Sequence, residues 1–103
     1  MFETFKQITN LRRAAKVDKA IGIANSAISA GQIQVANCQL EAAYKLCLET
    51  TFLRTSHINL ITFWGLTGLS LKKQGHTDFA DQCFKMERLL QARFDAGQFY
   101  RDP

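Results

Sequence analysis

Proline is all but missing from this chain: the only one is Pro103, the last of 103 residues. No helix interior is therefore broken by a ring that lacks an N–H and clashes with the preceding turn. Asn-Gly and Asp-Gly pairs are absent, and no run of alternating β-branched residues occurs, so the signals of a strand hairpin are missing. Cys38, Cys47 and Cys83 are odd in number and widely spaced, which argues against a disulfide framework. All three fall on apolar helical stripes, where cysteine behaves as a small hydrophobe, and a reducing, cytoplasmic setting is expected. No CxxC, HxxxH or HExxH spacing links the cysteines to His57, His76, Asp78 or Asp81, so neither a metal nor a cofactor is expected.

Long apolar runs are scarce as well. Residues 55–71 contain no Asp, Glu, Lys or Arg, yet the strongly apolar part, Ile58 to Leu71, is shorter than the ~20 residues a membrane span needs. His57, Asn59, Thr62 and Thr67 dilute it, and a buried core helix is expected there instead. The opening MFETFKQITNLRR lacks the basic start and apolar centre of a signal peptide.

What is present favours helix. Apolar residues make up 47% of the chain, enough for one core, and Ala, Leu, Gln, Lys and Glu are common. The expected fold is all-α: a single domain over 1–103, built as a small bundle of four to five helices in antiparallel helical hairpins. Gly31 and Gly75 each follow one helical pattern and precede another, as left-handed C-terminal caps do. Residues 3–30 form the first helical segment. It carries two stripes, Phe2, Phe5, Ile8, Leu11 and then Val17, Ile21, Ala24, Ile28, which one helix or two kinked near 14–17 would satisfy.

A second helix is expected over 33–53, with Ala36, Leu40, Ala43, Cys47 and Thr51 on one face and Tyr44 and Leu48 widening it. A hairpin over 57–96 follows, entered through Thr55 or Ser56 as N-cap. Its first helix is apolar almost all round, which predicts contacts on several sides. Gly65 and Gly68 are costly inside it by roughly 1 kcal/mol each, so close approach of another helix should compensate. Thr77 is the candidate N-cap of the last helix, with Asp78 and Asp81 in its first turn. Phe79, Ala80, Cys83, Phe84, Met86, Leu90 and Phe94 form its buried side and Gly97 its stop. The tail 97–103 is frayed unless Phe99 and Tyr100 dock.

Trp64, Gly68, Leu71, Gly75, Ala80 and Phe84 fall at the spacing of a known signature. Over residues 61–92 the chain resembles a tetratricopeptide repeat, a helix–turn–helix unit of about 34 residues. Thr67 stands where that family prefers leucine, and Glu87 where it prefers a small residue. A weaker copy comprises Ile23, Ala24, Ala27, Gly31, Ala36, Leu40 and Ala43, displaced by the 44 residues that separate Gly31 from Gly75. The resemblance implies that Gly68 and Ala80 are small because two helices cross there. It also implies a concave, partner-binding side lined by Ile21, Asn25 and Ile28 from the first unit and Thr62, Gly65, Leu69, Lys72 and Lys73 from the second. Of the polar set with which some family members clamp a terminal carboxylate, only Asn25 has a counterpart.

No catalytic residue is assigned. The cysteines sit among apolar positions, Asp78 and Asp81 pair with a helix dipole, and GLTGLS lacks the lysine and preceding strand of a phosphate loop. The function expected is a non-enzymatic protein–protein interaction module (adaptor, chaperone-like factor or inhibitor) gripping a helical segment of a partner. A homodimer would cover surplus aromatics such as Phe63, Trp64, Phe99 and Tyr100. The alternative is a nucleic-acid-associated regulator. The net charge is +4, and Arg12, Arg13, Lys16 and Lys19 crowd the first helix, with Arg12, Lys16 and Lys19 on one face.

Overall fold

Three glycines punctuate the chain, and each ends a helix in the same way. The computed structural model describes residues 2–101, with side chains from residue 8 onward. Four helices follow one another: α1 (Phe2–Ser29), α2 (Ile33–Glu49), α3 (Arg54–Lys73) and α4 (Thr77–Asp95). Gly31, Gly75 and Gly97 take φ of 76°, 87° and 73°, the left-handed region in which a Cβ is penalised. Behind each, two backbone bonds recover orphan carbonyls. At the second turn Gly75 N–H donates to Lys72 O and His76 N–H to Leu71 O; at the first, Gly31 and Gln32 donate to Ile28 and Ala27. This is the Schellman arrangement.

The two hairpin turns are close copies. Gln32 and His76 each end one helix's cap and begin the next helix, at φ −88°, ψ 70° and φ −88°, ψ 67°. Three connecting residues fold α2 back on α1 and α4 back on α3, giving antiparallel helical hairpins. Gly31→Ala and Gly75→Ala should each lower stability by about 1–2 kcal/mol, because alanine enters the left-handed region with no compensating contact. Denaturant titration checks this; unchanged midpoints would contradict it.

The chain divides into two compact units, Met1–Phe52 and Leu53–Pro103, each holding one hairpin. In the first unit α1 is a single helix. Its buried stripe runs Asn10, Ala14, Val17, Ile21, Ala24, Ile28, in steps of four and three. The earlier stripe expected from Ile8 and Leu11 is not buried: these side chains are 45% and 53% exposed, while the side chains of Phe2 and Phe5 lie outside the described residues. Ala36, Leu40, Ala43 and Cys47 form the buried face of α2. That helix ends at Glu49, short of the expected 53, because Thr50 is extended at ψ 133°. Thr51 is therefore exposed and non-helical, and its carbonyl accepts a bond from Asn10 Nδ2 instead. Cys38 is exposed, a second correction: it stands two residues after Ala36, off the stripe.

In the second unit the α3 face His57, Leu60, Trp64, Thr67, Gly68, Leu71 is buried, as are Ala80, Cys83, Met86 and Leu90 of α4. Neither helix starts where the hydroxyls suggested. Leu53 is the N-cap of α3 and His76 that of α4, and neither gives a side-chain cap bond. The chain's far end supplies the missing partner: Arg54 N–H donates to Tyr100 O at 2.8 Å, beside an isolated bridge between Leu53 and Tyr100. Phe99 stacks on Phe94 with ring centres 4.9 Å apart, so the tail docks through Phe99, whereas Tyr100 is 56% exposed.

Candidate interaction surface

The two sides of α3 differ in what faces them. On the inner side its glycines meet α4. A Cβ built on Gly68 would lie 2.6 Å from Cε1 and 2.8 Å from Cδ1 of Phe84, so that ring occupies the space a side chain would need. Gly65 is also buried, but what would meet its Cβ is the carboxylate of Glu87, the far end of a flexible side chain. The expected close approach thus holds at Gly68 against the Phe84 ring. At Gly65 a mobile carboxylate fills the gap.

On the outer side α3 is uncovered. Ile58, Leu66 and Leu69 are 36%, 60% and 51% exposed. With Thr62 and Lys73 they follow one another at steps of four, four, three and four, which places them along one side of the helix. Thr62 Oγ1 donates back to Ile58 O, so its hydroxyl is engaged within the helix. Lys72 and Lys73, both exposed, bracket Leu69 at i+3 and i+4. The all-round contact expected of α3 is therefore corrected. Within its own unit α4 packs on one face of α3, and Ile58, Leu66 and Leu69 stand on the other.

The residues expected to line a concave side separate into two groups. Thr62, Leu69, Lys72 and Lys73 are exposed together on α3, whereas Gly65 lies beneath Glu87. In α1, Ile21 and Ile28 are 0% and 4% exposed and belong to the buried stripe, with Asn25 half-buried beside it. Neither isoleucine offers a side chain to a partner. Ile58 and Leu66 complete the α3 stripe without having been singled out beforehand. The available signal was that Leu66 is too far round the helix from Trp64 to share its buried face.

The basic residues Arg12, Arg13, Lys16 and Lys19 are all exposed on α1. Asp18 lies among them in sequence, and partial burial pushes its carboxyl above the ordinary aspartate range. Since its pKa is higher folded than unfolded, the native state holds the proton more tightly, and stability falls as pH rises through the shifted value. Asp18→Asn should therefore be slightly stabilising at pH 7, with the advantage shrinking as pH drops through that range. A thermal melt at both pH values checks it; an advantage that grew towards acid would contradict it.

His57 is fully buried and structural. Its Nε2–H donates to Leu90 O at 2.7 Å, and its ring lies 6.0 Å from that of Phe94 and 6.5 Å from that of Phe99. Arg54 stands 5.6 Å over the Phe94 ring, a cation–π contact at the start of α3. Cys47 and Cys83 are wholly buried thiols. Among the described residues no three His, Cys, Asp or Glu side chains gather as metal ligands, and no helix is long and apolar enough to cross a membrane. Comparison with family models, curated proteins and solved structures returns no match to this chain.

Proposed function

We propose that this protein is a non-enzymatic interaction module that takes a helical segment of another protein on the outer face of α3, as an adaptor, a chaperone-like factor or an inhibitor. One observation carries the reading: Ile58, Leu66 and Leu69 stand exposed in line on a helix whose opposite face is already packed. Leucines at half or more of their full exposure, set in a row, form the kind of apolar strip that a partner helix covers. The Phe84 ring over Gly68 supports the tetratricopeptide-like character of this hairpin within the same proposal. Three cysteines with no disulfide among them suit a reducing, cytoplasmic setting.

Leu66→Asp with Leu69→Asp tests the reading. Protein partners retained from lysate by the parent chain should be lost by the variant, with or without nuclease. Retention of the same partners by the variant would contradict it. Light scattering on both forms identifies a homodimer built through this face, which the double variant would dissociate.

A second reading has its own observation. Arg12, Arg13, Lys16 and Lys19 are exposed along one stretch of α1, so a nucleic-acid-associated regulator would present them to phosphates. Arg12→Glu with Arg13→Glu should then abolish RNA or DNA binding that weakens with salt. Binding indifferent to salt would count against it.

A further inference from the structure

The α3 strip carries two adjacent cations at one end. Lys72 and Lys73 lie at the C-terminal end, both exposed, and neither forms an ion pair among the described residues. At the other end Arg54 is a single cation, standing over the Phe94 ring of α4. Midway, the Glu87 carboxylate sits over Gly65 at the strip's edge. A partner helix with carboxylates in its middle would meet Glu87 and be repelled, whereas carboxylates at the end over Lys72 and Lys73 would be attracted.

Helices favour acidic residues in their own first turn, where the dipole is positive. A partner whose acidic turn lies over Lys72 and Lys73 therefore starts at the C-terminal end of α3 and runs back towards Ile58. Its dipole then opposes that of α3. Ile58 to Leu69 spans about 16 Å along the axis, three turns of helix, so apolar residues at i, i+4, i+7 and i+11 of the partner would cover Leu69, Leu66, Thr62 and Ile58 in turn.

Among the described side chains, none of the chain's own helices meets this specification. Neither α2 nor α3 has an acidic residue in its first turn. The first turn of α4 does carry Asp78, but the helix spends Ala80, Cys83, Met86 and Leu90 on its own hairpin. Among the described side chains of α1 the exposed charged ones are Arg12, Arg13, Lys16, Asp18 and Lys19, a net positive face rather than one led by carboxylates.

We infer that the occupant of this face is an amphipathic helix of a different protein, with carboxylates in its first turn, bound antiparallel to α3. This rests on the interaction-module reading and adds the partner's charge pattern and direction. Two designed, fluorescein-labelled peptides of about 16 residues, matching the strip in length, test it by anisotropy against the full chain. They share one leucine stripe and one composition, with three glutamates in the first turn of one and in the last turn of the other.

The first-turn peptide should bind about ten-fold more tightly, the difference two exposed ion pairs can supply. Lys72→Glu with Lys73→Glu should erase or reverse that preference, and Leu66→Asp with Leu69→Asp should abolish binding of both peptides. All four positions are exposed, so circular dichroism should show the fold intact. Equal binding of the two peptides by the parent chain would overturn the direction and charge pattern while leaving the surface in place. Binding of neither would overturn the surface itself. Self-association that Leu66→Asp with Leu69→Asp abolishes would overturn the assignment to a different protein.

Discussion

Trp64→Ala should cost about 3–5 kcal/mol of stability, the largest effect of any single substitution in the second unit. Trp64 is fully buried and is the largest wholly buried side chain among the described residues. It sits between Leu60 and Gly68 on the α3 face that meets α4. Removing it leaves a cavity that fixed helices joined by a three-residue turn can only partly close. A unit of about fifty residues has little stability to spare, so the variant should show an early, broad unfolding transition. Circular dichroism in a urea series, under reducing conditions, gives the number. A loss below about 1 kcal/mol would mean that the tryptophan is not packed as described.

Gly68→Leu should cost about 2–3 kcal/mol, despite leucine's better helix propensity. The first new carbon would already stand 2.6 Å from the Phe84 ring, and the rest of the side chain has no space to enter. The ring must swing out or α4 must move. Phe84→Ala in the same chain should recover much of the loss by vacating that space, a coupling that a double-mutant cycle reads directly. Gly65→Ala is the contrasting case. Only the Glu87 carboxylate stands in the way, and it can turn into water, so the variant should be neutral or up to ~1 kcal/mol more stable. Equal destabilisation at both glycines would contradict the distinction between a packed ring and a movable carboxylate. Trp64, the only tryptophan, reports unfolding of this unit by fluorescence.

Much of the fold was legible because it is written in short-range chemistry. Gly31, Gly75 and Gly97 each sit one residue past a helix's C-cap, where only a residue without Cβ takes positive φ at no penalty. The steps of three and four from Ala36 to Cys47 mark a buried face independently of what covers it. The misreadings concern features that distant residues decide. Thr55 and Ser56 are sound N-cap residues by type, but the N-terminus of α3 is met by the Tyr100 carbonyl from the other end of the unit. Ile8, Leu11 and Cys38 look like core by composition and are exposed.

The candidate surface was half legible for the same reason. Leu69, Lys72 and Lys73 were placed together through a resemblance, and they are exposed together on α3. Ile21 and Ile28 were carried along by the same resemblance into a lining role. Their steps of four and three with Val17 and Ala24 put them instead in the stripe that α1 buries. Ile58 and Leu66 sit on a helix that is apolar almost all round, and only their angular distance from Trp64 separates them from its buried face.

We propose the outer face of α3 as the working surface of this protein. Amide and methyl shifts of the isotope-labelled chain, followed by NMR as the peptide with an acidic first turn is added, test it most directly. Shifts should concentrate at Ile58, Thr62, Leu66, Leu69, Lys72 and Lys73, with Arg12 to Lys19 of α1 unmoved. Shifts centred on Arg12 to Lys19 with α3 silent would contradict it.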